Sequence, residues 1–203
     1  MDEGYINYEI SYPIPFADKW MERIMPKEME MKFKGGQLKT ELSFGLGMIK
    51  IGYLSNSEKQ EVHELLKFMK NKNFAKRNAK EVQLMLDEIP KHKITLGNQV
   101  KTIAGYQCKN AKVDIMQKDS AYSIEIWYTE DLKVVNPNWC TPFKEIKGVL
   151  MEYQVQKLDV VMKFTAKKVQ LMEYTPEEFN LPENYKKISF KEMEESLEQL
   201  KDI

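Results

Sequence analysis

The sequence predicts a β-rich α+β protein, a curved antiparallel sheet forming an open half-barrel with short helices covering its concave face. Three observations lead there. Segment after segment alternates apolar and polar residues with a period of two, the mark of strands with one buried face. Glycine, asparagine and proline turns separate these segments. The total comes to roughly eight to ten strands with three or four short helices, more strands than an open sheet carries without curling.

Ile6, Tyr8, Ile10 and Tyr12 form one face of the first strand, residues 5–12, which Pro13 and Pro15 end. Phe16, Trp20 and Ile24 then suggest a short helix from Asp18 to the stop at Pro26. Met29, Met31 and Phe33, then Leu38, Thr40, Leu42 and Phe44, alternate about a Gly35-Gly36 turn and predict a hairpin. Gly45 and Gly47 bend the chain before a strand on Ile49, Ile51 and Tyr53, followed by a turn at Ser55-Asn56-Ser57. The segment Glu61 to Met69 fits a helix or a strand equally, and the lysine run at 70–80 reads as a solvated face.

Asn78 is set to cap a helix over Ala79–Ile89 that Pro90 stops. Strands follow at His92–Leu96 and Gln99–Thr102, with Gly97-Asn98 as their turn, and at Tyr106–Met116 and Tyr122–Thr129, with a turn at Gln117–Ser120. Asn136–Glu145 is irregular and ends in a helical turn, and strands over 149–155 and from Val160 join through a tight connection at Lys157–Asp159. A parity slip at Lys167-Lys168 predicts a β-bulge. Pro176–Pro182 is turn-rich, and Ser189–Leu200 is a terminal helix with Phe190, Met193, Leu197 and Leu200 on one side.

The 203 residues are enough for one core, so residues 1–203 are expected to form a single domain and a monomer. Thirty-one basic residues balance 31 acidic ones, so no global field recruits nucleic acid or an anionic membrane, and function must come from shape and local surface. No window approaches the roughly 18 apolar residues of a transmembrane span. Met1 to Gly4 leads almost directly into the first strand, as in a cytosolic protein or an exported one whose signal peptide has been removed.

No motif for chemistry stands out. His63 and His92 lack metal-ligand spacing with Cys108 and Cys140, no nucleophile elbow is present, and the Gly45, Gly47 and Gly52 cluster is not followed by a phosphate-binding Lys-Ser/Thr. No catalytic residue, metal site or cofactor is expected, and the reading is of a protein that is not an enzyme. Cys108 and Cys140 are either a bridge, worth about 3–4 kcal/mol on the chain-entropy model, or two buried thiols. The 13 methionines are core filler or a soft lining for a variable apolar ligand. On the second reading Met29, Met31, Phe33, Leu42, Phe44, Met151, Tyr153, Met162 and Phe164 line a hydrophobic cavity.

The run Ile103-Ala104-Gly105-Tyr106-Gln107-Cys108-Lys109-Asn110-Ala111 resembles the I-x-G-Y-K-C-x-x-A signature of a family of secreted Bacteroidota proteins of unknown function. Trp127-Tyr128-Thr129 matches that family's W-Y-T, and Ile146 to Glu152 is similar to its GLPGLI segment without the proline. Glu3 to Glu9 resembles its first mature strand, and Phe179 to Tyr185 its F-x-x-P-x-x-Y ending. Such proteins look related to the LolA/LolB outer-membrane lipoprotein carriers. The resemblance implies a LolA-like half-barrel with a helical lid, export to the periplasm or cell surface, and a Cys108–Cys140 disulfide. The expected function is then an exported binding protein that holds a lipid, acyl chain or other hydrophobic ligand. The alternative is a structural or envelope-sensing module that contacts an envelope protein and takes no small ligand.

Overall fold

The computed structural model describes residues 2–116, 121–157 and 160–199. The chain opens with β1 (Glu3–Ser11), the short α1 (Lys19–Ile24), β2 (Glu28–Lys34), β3 (Gln37–Phe44), β4 (Ile49–Asn56), β5 (Glu61–Phe68) and β6 (Asn71–Asn78). It continues through α2 (Ala79–Asp87), β7 (His92–Ile103), β8 (Tyr106–Met116), β9 (Ala121–Thr129), β10 (Val149–Lys157), β11 (Val160–Leu171), β12 (Lys186–Lys187) and α3 (Phe190–Glu198). All the strands belong to one 12-stranded sheet of order β12-β6-β5-β4-β3-β2-β1-β11-β10-β9-β8-β7. Ten of its pairings are antiparallel, and only β12 lies parallel to its neighbour, β6.

The expected LolA-like half-barrel of eight to ten strands is therefore corrected to a single twelve-stranded open sheet, with β12 and β7 as its unjoined outer strands. Part of the difference comes from segments whose strand character was hidden. Glu61–Phe68 becomes a strand because β4 and β6 flank it and satisfy its backbone on both sides. The lysine run becomes β6 because Ala75 is fully buried opposite Glu64 and Phe74 pairs with Leu65, while its lysines keep access to water. His92–Leu96 and Gln99–Thr102 are one strand, β7, carrying an irregularity between Leu96 and Val100. Gly97 sits there because a Cβ would fall 2.1 Å from Asn110 Oδ1, the same atom that accepts the Gln99 N–H at 3.1 Å.

Other segments form as the sequence predicts. The β2–β3 hairpin turns at Gly35-Gly36, and Asp18 and Asn78 cap α1 and α2. Lys167 is the extra residue of a bulge, since Asn7 pairs with Lys168 and the next residue, Tyr8, with Ala166. The irregular stretch at 136–145 ends in a turn, closed by the Ile146 N–H on Phe143 O at 2.9 Å. The turns expected at Gln117–Ser120 and Lys157–Asp159, and Leu200 of the terminal helix, lie outside the described residues, apart from the backbone of Lys157 at the end of β10.

Three apolar clusters fill the fold. The largest joins Ile6 and Tyr8 of β1, Phe33 of β2, Met151 of β10 and Phe164 of β11. A second packs Val113, Ile126 and Tyr128 under Phe143 and Ile146. The third seats Met193 and Leu197 of α3 on Ile51, Leu66 and Ala75.

The strap between β9 and β10, residues 130–148, reaches the opposite flank of the sheet. Val135 donates its N–H to Gly35 O at 3.0 Å and accepts from Ser57 Oγ at 2.8 Å, tying the strap to two hairpin turns. Within the strap, the buried Asn138 side chain donates to Ile146 O at 2.7 Å and Gly148 O at 2.9 Å, satisfying two backbone acceptors. Lys144 donates to Gln83 of α2 at 3.1 Å, so α2 and the strap cover the same end of the sheet.

Candidate functional site

One face of the sheet, α3, α2 and the strap enclose a cavity of about 690 Å³. One wall is apolar: Met29, Met31 and Leu42 from β2 and β3, Val155 from β10, and Met162 and Phe164 from β11. Phe143 of the strap, Val82 and Met85 of α2, and Leu197 of α3 complete it. The alternation of β2, β3 and β11 aims these side chains inward while their lysine and glutamate neighbours face water.

The other wall is mixed. Tyr53 donates its hydroxyl to Glu64 Oε1 at 2.7 Å, and the two residues sit opposite each other on β4 and β5. Arg77 stacks its guanidinium 3.4 Å from the centre of the Phe190 ring and lies 3.8 Å from the Glu194 carboxylate. Thr40 and Ser55 add hydroxyl groups, and Glu198 a further carboxylate. The cavity thus offers a broad apolar surface and a cluster of polar groups on one side, the arrangement that orients a small molecule with one polar part.

Beneath the apolar wall, Tyr8 donates its hydroxyl to Leu150 O at 2.7 Å, with its ring edge-on to Tyr153 at 5.8 Å. Tyr153 in turn stacks on Phe164 at 5.0 Å. Burial pushes both phenols well above their ordinary range, so each stays a neutral hydroxyl.

Of the nine residues expected to line a cavity, Met29, Met31, Leu42, Tyr153, Met162 and Phe164 border this one. Phe33 and Met151 are wholly buried in the largest cluster, and Phe44 packs between that cluster and the one under α3. Sequence reasoning missed Tyr53, Glu64, Arg77 and Val155. Glu64 had a signal, because it shares its phase with Val62 and Leu66 once Glu61–Phe68 is read as a strand. Arg77 had none within a run of lysines and asparagines.

The expected disulfide is corrected as well, since Cys108 and Cys140 are free thiols. Cys108 is fully buried in the largest cluster, with its thiol 3.4 Å from Tyr106 O. The strap carries Cys140 away to the cavity, where Ser55 of the far flank hydrogen-bonds it. Burial pushes the Cys140 thiol up to about 11 and raises Cys108 in the same direction. His92 Nε2 lies 2.8 Å from Pro142 O and so fastens the strap to β7.

No described helix is long and apolar enough to cross a membrane. The family model for the N-glycanase peptide, N-terminal domain, matches residues 56–188, about two thirds of the chain. No curated protein matches. The chain belongs to the N-glycanase peptide, N-terminal domain family. This overturns the resemblance to the GLPGLI-like secreted proteins and the LolA-like lipid carriers, because the motifs at Ile103–Ala111, Trp127–Thr129 and Ile146–Glu152 all lie within the matched residues.

Proposed function

We propose that this chain, as an N-glycanase N-terminal domain, is a non-catalytic binding domain that holds a mainly apolar small molecule in the cavity under α3 and the strap. The observation that supports this reading is the cavity itself. Its volume of about 690 Å³ lies within the range of small-molecule sites, roughly 300–1,000 Å³, and its polar groups gather on one side. A ligand burying roughly 200 Å² of apolar surface gains about 5 kcal/mol there, before the cost of its lost freedom. Its polar part would meet Tyr53, Thr40 and Arg77.

Solvent extraction of natively purified protein, read by mass spectrometry, together with titration of the fluorescent probe 1-anilinonaphthalene-8-sulfonate, tests this. Saturable uptake by the wild type that is abolished in Met31→Trp and Val155→Trp, which fill the cavity, is the expected result. An empty extract together with uptake that both variants retain would overturn it. A second reading, glycan release from a glycoprotein, is favoured by the three carboxylates Glu64, Glu194 and Glu198 bordering one cavity beside Arg77. It predicts release from a denatured glycoprotein by the wild type and loss of that release in Glu64→Gln.

A further inference from the structure

At the end of the sheet away from α2 and the strap, three neighbouring loops hold large apolar side chains in water. Leu46 is 96 % exposed, Ile14 63 %, Met69 60 %, Met48 53 % and Trp20 49 %. The loops form one tip: Met69 donates its N–H to Met48 O at 2.9 Å, and α1, which carries Trp20, packs against the turn at residues 45–47. Leu46 and Met69 also adopt left-handed backbone, with φ of 57° and 52°. That region disfavours both residue types, and asparagine fits it better. Leu46 and Met69 therefore carry two costs, exposure and strain.

The charge behind the tip is basic although the chain as a whole is neutral. Lys50, Lys67 and Lys72 stand in one row across β4, β5 and β6, each paired in register with the next. Lys70 lies in the β5–β6 turn, and Lys19 and Arg23 lie on α1. Lys50 is paired with Glu41 at 2.6 Å, whereas Lys19, Arg23, Lys67 and Lys70 enter no ion pair among the described residues. Of the acids nearby, Asp18 is used to cap α1, Glu41 is paired with Lys50 and Glu9 with Lys167, leaving Glu22 and Glu28 against this set.

We propose that this tip docks on an anionic membrane surface, with Trp20, Leu46, Met48 and Met69 entering the boundary between headgroups and acyl chains while the lysines face the lipid phosphates. Apolar side chains on separate protruding loops offer a protein partner no continuous groove. A bilayer needs none, and a tryptophan at the water boundary above a basic row suits it. The cavity reading is independent of this surface.

Sedimentation with vesicles of phosphatidylcholine, alone or mixed with phosphatidylglycerol, tests the proposal. The wild type should pellet with the mixed vesicles at low salt and be released at high salt. Trp20 should shift its emission to the blue on binding, a change lost in Trp20→Phe. The double variant L46N/M69N keeps the left-handed turns, so its circular dichroism should match the wild type while its bound fraction falls about tenfold. A wild type that stays in the supernatant would overturn the proposal. So would vesicle binding that L46N/M69N retains, binding indifferent to phosphatidylglycerol, or retention of this tip by a protein partner without vesicles.

Discussion

Tyr8 shows how much one side chain can organise in this protein. Its hydroxyl is fully buried and reaches from β1 to the Leu150 carbonyl of β10, two strands away, past the intervening β11. Tyr8→Phe keeps the ring and leaves that carbonyl without its donor, so urea unfolding should show a loss of about 1–3 kcal/mol. The thiols give a second test. Unfolded without reductant, the protein should release two titratable thiols, and alkylation of native Cys140 should stay slow at neutral pH and accelerate toward pH 11. Glu178 shows acid sensitivity at a single group. Lys39 at 2.8 Å and Lys32 at 2.9 Å hold its carboxylate below the ordinary range, so its contribution is complete above the unfolded value near 4.5 and disappears as pH falls through the lower folded value. Glu178→Gln should lower the melting temperature at neutral pH and flatten its decline below pH 4.5. An unchanged acid limb would assign the decline to other carboxylates.

Among the elements, the bulge in β11 makes a pointed test. Removing Lys167 would let Lys168 face Asn7 and Val169 face Ile6 in a regular ladder, with every inward side chain still inward. The deletion should therefore cost about 1 kcal/mol or less, whereas deleting Thr165 puts the Lys167 side chain in the buried place of Ala166 opposite Tyr8 and should cost about 3 kcal/mol or more. Equal damage from both deletions would refute the register. The same logic explains what could be read in advance. β1 and the β2–β3 hairpin were legible because their alternation is strict and the Gly35-Gly36 turn is local. β6 was not, since its burial depends on Leu65 and Glu64 of a neighbour and its own sequence is mostly lysine and asparagine. Gly97 reads as a turn in the sequence because its true reason, the Asn110 side chain across the ladder, is not local. The apolar wall of the cavity followed from strand phase, while its polar wall depended on a strand assignment that periodicity left open.

For the molecule as a whole, the decisive feature is where the first four strands sit. The family-matched residues 56–188 supply β5, β6 and β12 on one flank and β7 to β11 on the other, with β1 to β4 between them in the sheet. A fragment of residues 56–188 alone would hold two half-sheets with no common ladder, and it should show no cooperative unfolding transition where the whole chain shows one. The same placement sets an order in time. On the ribosome, β2 through β6 can close as successive hairpins soon after each emerges. β1 can join β2, but its other edge must wait until β11 has been made, some 160 residues later. Throughout that interval a central strand is an edge, guarded by little more than Glu3 and Glu9. Closure of that one seam, from Gly4 against Leu171 to Ser11 against Lys163, should thus be the slow step of assembly and the moment when the unfinished chain is most open to pairing with a copy of itself.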